Sequence, residues 1–477
     1  MKPGSRFDTR TPWARLFLWV LLTCSGWAIS QWVPPMQSPD EDQHIARAYV
    51  LGEGHWNLDA PEGKMSGGWV DAGLEEYIRQ YMRLAGKPEF RISKEEIGHI
   101  EQIRWQDSKS RKFFEMPGTG YYLPLVYFPH ALGLKWGQAM DLSIHASYQL
   151  TRFVVLGFSV ALIIWAFSML AQGTGVLGIL MLPMTVFQLV LPTLDGFTTA
   201  LAMVIVALFA RLSQPEDGLD RSWRLQGSMA LCLLLVVTSR IHLLPMALLP
   251  LALGWYRQKP VYAAWGLVVL VCAFAWLLFA VTHTVDTRIP RNHTTEEILL
   301  HYATAPWDFL LVFTKTWMNA DLRDFYWRSF IGILGWLDAP LRSIFYPWIG
   351  GGLLFCMLGC VSLPRRGADH LFRATLLFAA AASILLIFFA LLITWTPHPT
   401  EIIAGVQGRY FVVPALLLGY ALHGFPVQEK TLPVPHPTVI KRRGGAVSAF
   451  VPMLLILAFG MLCLVALVSG LIARYGS

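Results

Sequence analysis

Apolar runs separated by short polar segments recur along the whole chain, at residues 16–33, 147–170, 174–193, 197–211, 226–239, 241–256, 261–281, 346–363, 372–395, 409–424 and 447–472. Each is close to the ~20 residues with which a helix crosses the hydrocarbon core of a bilayer. The pattern therefore predicts an all-α polytopic membrane protein, a bundle of about 11 transmembrane helices. It leaves open how 226–256 divides between two crossings.

The polar segments set the organisation. Residues 1–33 read as a cytoplasmic amino terminus and a signal-anchor span, because Lys2, Arg6, Arg10 and Arg15 precede the apolar run. Bulky Trp27 and Trp32, and Thr23 before Cys24, are poor cleavage signals, so the anchor is expected to remain uncleaved. Residues 34–146 form a long first outer loop and 282–345 a second one, flanking a bundle at 147–281. A second bundle at 346–424, a Pro-rich and basic cytoplasmic connector at 425–446 and a last span within 447–477 complete the chain. Arg221, Arg224, Arg257, Lys259, Arg365, Arg366, Lys441, Arg442 and Arg443 then all face the cytoplasm, which satisfies the positive-inside rule and makes the outer face of a bacterial inner membrane periplasmic. The first outer loop carries too many aromatics for disorder, and amphipathic helices lying on the membrane surface are expected there.

Composition agrees with lipid as the solvent. Hydrophobic residues make up 55% of the chain and charged ones 14%, which excludes an ordinary soluble domain. The net charge of +7 is spread over short inter-span segments, so it reads as topology signal rather than as a nucleic-acid surface. All six cysteines fall in apolar runs, and no disulfide is expected.

Candidate chemistry gathers where ionisable residues meet the apolar runs. Ser38-Pro39-Asp40-Glu41-Asp42-Gln43-His44 places three carboxylates and an imidazole just beyond the first span, with Arg47 on the next turn. Ser38 as N-cap with Glu41 three residues on also reads as a capping box opening a helix to about Gly52. In that geometry Glu41 turns back to the cap amide, and Asp40 is free to act. Val406-Gln407-Gly408-Arg409-Tyr410-Phe411 sets an arginine at the mouth of a span, suited to snorkelling or to clamping a phosphate. Thr238-Ser239-Arg240-Ile241-His242 and Asp195-Gly196 add a cation, an imidazole and a carboxylate at the same face. Asp40, Asp42 and His44 are a loose set for a divalent metal, but no metal site is assigned and no cofactor is required.

Taken in order, Pro39-Asp40-Glu41 with His44 and Arg47-Ala48-Tyr49, the stretch Gly118 to Pro129, Asp195-Gly196, Phe330-Ile331-Gly332 with Leu334-Gly335-Trp336-Leu337-Asp338, and Gln407-Gly408-Arg409-Tyr410 resemble the bacterial membrane family called domain of unknown function 2142 (DUF2142). The resemblance spans roughly residues 34 to 424. That family is similar to the GT-C class of membrane glycosyltransferases, which take a sugar from a polyprenyl-phosphate donor and carry a catalytic Asp in the first outer loop. The resemblance thus implies a GT-C-like bundle, with Asp40 and Glu41 as catalytic residues. Glycosyl transfer needs a base for the acceptor hydroxyl and cations for the departing phosphate, here Arg409 and Arg240 with His242 or Lys315. Gln407, Tyr410, His44, Arg47 and Asp195 would complete the donor site. The implied partners are a polyprenyl-phosphate sugar, a glycan or lipid acceptor and the surrounding membrane lipid. A transporter or flippase of lipid-linked glycans, or a polysaccharide polymerase or ligase, would draw on similar groups.

Overall fold

A segment in lipid must satisfy every backbone N–H and C=O internally, so the apolar runs fold as helices. The computed structural model describes residues 12–106, 110–214, 222–290, 292–364, 367–425 and 445–476. Of the basic residues used for orientation, Lys2, Arg6, Arg10, Arg221, Arg365, Arg366, Lys441, Arg442 and Arg443 lie outside these, as does the Pro-rich stretch 426–437.

After α1 (Pro12–Ser30), the first outer segment forms α2 (Glu41–Gly52), β1 (Gly67–Asp71), α3 (Ala72–Met82), α4 (Lys94–Glu101), β2 (Arg111–Glu115) and α5 (Phe128–Ala139). The expectation of an all-helical segment is corrected here. β1 and β2 pair antiparallel, with Gly67 opposite Glu115 and Asp71 opposite Arg111. Nor is α2 an exposed amphipathic helix: Glu41, Asp42, His44, Arg47 and Tyr49 are all buried on it. β1, α5 and the 3-10 turns Pro117–Tyr121 and Pro124–Tyr127 pack around it and enclose its polar residues.

The chain continues through α6 (Ile144–Met169), α7 (Thr174–Met181), α8 (Pro183–Val190), α9 (Leu194–Ser213), α10 (Ser222–Ser239), α11 (Leu248–Arg257) and α12 (Pro260–His283). α13 (Thr295–Thr304), α14 (Pro306–Met318), α15 (Ala320–Gly332), α16 (Phe345–Gly359), α17 (Ala368–Thr394), α18 (Val412–His423) and α19 (Gly445–Tyr475) follow. Among the described residues, six helices are long and apolar enough to cross a membrane: α1, α6, α9, α12, α17 and the Leu454–Tyr475 part of α19. The remaining runs are shorter or broken. Leu182 adopts an extended backbone before Pro183, which separates α7 from α8 because proline disfavours a helical residue before it. Residues 241–247 form a 3-10 turn with Pro245 inside, and α18 is preceded by the 3-10 turn Gly408–Phe411.

α9 is buried along almost its whole length and forms the axis of the bundle, packed by α6, α10 and α11. The outer segments are tied together across long sequence distances. Ser66 N–H donates to the Val285 carbonyl at 2.9 Å, and the Trp336 indole N–H donates to the Met36 carbonyl at 2.9 Å. Arg474, at the end of α19, bonds Asp338 at 2.9 Å and the Leu84 carbonyl at 2.8 Å. The start of α2, the start of α9, the end of α10 and the start of α18 meet at one end of the bundle, where Asp40, Asp195, Arg240 and Arg409 pair.

Candidate active site

The sequence around Asp40 folds differently from the expected capping box. The helix starts at Glu41, and Asp40 takes the cap position with φ 64°, in the left-handed region that Asp tolerates better than most residues. Half of the reciprocal pair forms: Glu41 Oε2 accepts the Ser38 N–H at 3.0 Å, while the Ser38 carbonyl accepts the Glu41 N–H at 3.1 Å. The Asp40 side chain makes no cap bond and is 46% exposed.

Facing it is Arg409, only 7% exposed, with Nη2 at 3.5 Å from Asp40 Oδ2. Arg409 is placed by Gly408, whose N–H donates to Ser329 Oγ at 2.8 Å and whose missing Cβ leaves room for the backbone of α15. Nη1 of Arg409 lies 3.7 Å from Asp195 Oδ2. Asp195 sits in the first turn of α9, where a carboxylate suits the helix dipole. Its other oxygen, Oδ1, accepts from Arg240 Nε at 2.8 Å and also from Arg240 Nη2. The third nitrogen of Arg240, Nη1, donates to the Ser239 carbonyl at 3.0 Å, so this guanidinium is committed to the protein. Tyr122 lies under Arg240 at 5.2 Å, Tyr410 under Arg409 at 5.3 Å, and the His242 ring is 6.1 Å from Tyr410. Asp40, Asp195, Arg240, His242, Arg409 and Tyr410 are therefore neighbours.

Two further carboxylates adjoin Asp40. Glu41 is wholly buried; desolvation raises its pKa against the opposing pull of Arg152, Tyr148 and the Ser38 amide. Asp42 is pushed up to about 7, first by burial and then by the Asp40 charge, and its Oδ1 has no hydrogen-bond partner among the described residues. His44 is driven down to about 3 by burial, with Arg240 adding, so its imidazole is neutral; Nδ1 shares a 2.8 Å hydrogen bond with Tyr127 OH. That bond turns His44 toward Tyr127, and among the described residues no group of three or more His, Cys, Asp or Glu is placed to hold a metal ion.

Two other expected donor-site residues, Arg47 and Lys315, go elsewhere. Arg47 is buried but donates to the carbonyls of His55 and Trp56, clasping the loop after its own helix. Lys315 pairs with Glu401 at 3.5 Å on the surface. Gln407 stands at the entry to the Arg409 turn with its buried Oε1 unpartnered among the described residues. Sequence reasoning missed Arg288, which pairs with Asp286 at 2.7 Å within electrostatic reach of Asp40 and Tyr122. A polar loop gives such an arginine no contrast. It also passed over Arg152, although a lone arginine inside the run 147–170 carries the same signal as Arg240.

A family model described as predicted membrane protein (DUF2142) matches residues 21–418. No curated protein matches the chain. Among solved structures, ArnT from Cupriavidus metallidurans bound to undecaprenyl phosphate is similar at a TM-score of 0.37 and 14% sequence identity, over 98% of this chain and 77% of that one. A likeness of that strength fixes neither fold nor activity.

Proposed function

We propose that this chain, which belongs to the DUF2142 family of predicted membrane proteins, is an inverting glycosyltransferase. It would move a sugar from a polyprenyl-phosphate carrier to a cell-envelope glycan or lipid at the periplasmic face. The observation that carries this reading is the placement of a half-exposed carboxylate, Asp40, against a largely buried guanidinium, Arg409. Asp40 takes the proton of the acceptor hydroxyl as the acceptor oxygen bonds to the anomeric carbon. The bond from that carbon to the phosphate oxygen breaks, and the electron pair leaves with the polyprenyl phosphate. Arg409 receives the charge that develops there.

Arg409 is suited to that part because its contacts to Asp40 and Asp195, at 3.5 and 3.7 Å, are longer than the roughly 2.7–2.9 Å of a tight charge-assisted bond. Its Nε has no partner among the described residues. Arg240 acts differently from the phosphate ligand expected of it: it holds Asp195, and Asp195 in turn aims Arg409. Siting these groups where the bundle meets its outer segments suits a substrate whose phosphate lies at head-group depth and whose chain lies in lipid.

Comparing lipid-linked sugars in membranes with and without the protein identifies the donor. A transfer assay in lipid nanodiscs then compares wild type with Asp40→Asn, which keeps shape and removes the base. A loss of about a hundredfold or more in transfer by folded Asp40→Asn is expected. Full activity of that variant would overturn the carboxylate mechanism, and translocation of the donor without transfer would favour a flippase.

A further inference from the structure

We infer that Tyr148 and Arg152 are positioning residues that act on Asp40 through the buried carboxylate of Glu41; the inference rests on Asp40 being the base. Arg152 is 1% exposed, within the span α6, and each of its three guanidinium nitrogens donates a hydrogen bond. Nη1 donates to the carbonyls of Ser30 and Val33, both at 2.8 Å, and Nη2 to that of Pro34 at 3.1 Å, gathering the chain as it leaves α1. Nε donates to Tyr148 OH at 2.7 Å. With its oxygen so engaged, the Tyr148 hydroxyl turns its proton to Glu41 Oε1, while Glu41 Oε2 takes the Ser38 N–H.

Glu41 thereby grips the backbone two residues before Asp40 from the residue after it. Asp40 lies between these grips at φ 64°, and Met36, also at positive φ, is held from outside by Trp336. A left-handed backbone costs an L-residue about 1–2 kcal/mol, so it persists where neighbouring contacts impose it. If the grip is released, the segment is free to relax to an ordinary conformation and carry the Asp40 carboxylate away from Arg409. A displacement of about 1 Å is enough to lower a rate strongly. Packing alone does not call for this chain, because a buried Arg, Tyr and Glu are costly to desolvate and apolar side chains would fill the same space. Alignment of Asp40 accounts for it.

The test is Tyr148→Phe, which removes one hydroxyl and keeps the ring. Two measurements are made on protein reconstituted in nanodiscs: steady-state transfer kinetics, and amide hydrogen exchange of residues 36–41 by mass spectrometry. The expected result is a fall in kcat of about tenfold or more, donor KM within about twofold because Arg409 stands on another element, and faster exchange at Ser38. A role in stability alone would lower Tm and leave kcat per folded molecule unchanged. If Tyr148→Phe does not fold, Arg152→Lys carries the same two readouts. Wild-type kcat and unchanged exchange in a folded variant would overturn the inference. Should wild type transfer no sugar, the glycosyltransferase reading fails by itself, and exchange alone decides the positioning: faster exchange supports it and unchanged exchange sinks it.

Discussion

Arg409 Nη2 stands 3.5 Å from Asp40 Oδ2, although the two residues come from opposite ends of the chain. In this arrangement each group offsets the other's charge. A donor phosphate that drew Arg409 toward itself would free the Asp40 carboxylate for the acceptor hydroxyl.

Arg409→Lys tests the cation. Lysine keeps the charge but loses the planar fork that binds two phosphate oxygens at once. Donor KM should rise about tenfold, the equivalent of roughly 1.4 kcal/mol of binding. Unchanged affinity for polyprenyl phosphate, measured by titration in nanodiscs, would remove Arg409 from the donor site.

Asp195→Ala should destabilise the folded protein by about 3–5 kcal/mol, because it strands the Arg240 guanidinium in a buried setting. Asp195→Asn, which still accepts a hydrogen bond, should cost less. Unfolding in detergent at matched pH reads both, and an Asp195→Ala variant as stable as wild type would show that Arg240 is held by other groups.

Asp42 predicts a pH dependence whose sign is fixed by its raised pKa. Between about pH 4 and 7 the folded state keeps a proton on Asp42 that the unfolded state has lost, so the Asp42 contribution to stability falls as pH rises through that window. Asp42→Asn removes the term. Its Tm relative to wild type should therefore increase from pH 5 to pH 8, and a constant difference would mean that Asp42 ionises normally.

Gly408→Ala would set a Cβ against the Phe330 amide nitrogen and the Tyr326 carbonyl, which are backbone atoms that cannot turn aside. The Arg409 turn must shift. Transfer should drop with a loss of stability of roughly 1–3 kcal/mol, as overpacking of a tight contact costs. Normal activity and Tm in this variant would mean that the turn has slack.

By itself the sequence determined that the chain lives in lipid, and it marked most of the charged residues of the site. Desolvating a cation or carboxylate is a cost borne by that residue alone, so Asp40, Asp195, Arg240 and Arg409 stand out against their apolar neighbours without any knowledge of contacts. Arg152 was equally legible by that rule. Tertiary structure decided the rest, because a partner is supplied by another helix and leaves no mark beside the residue it serves. Arg240 turned out to hold Asp195, Arg47 to clasp its own loop, and Lys315 to pair at the surface with Glu401. The left-handed backbone at Asp40 and the pairing of β1 with β2 likewise depend on distant segments, the first through Tyr148 and the second across some forty residues of intervening chain. The break of residues 174–193 was legible in Pro183 but not in apolar length, since hydropathy sums side chains and takes no account of the backbone.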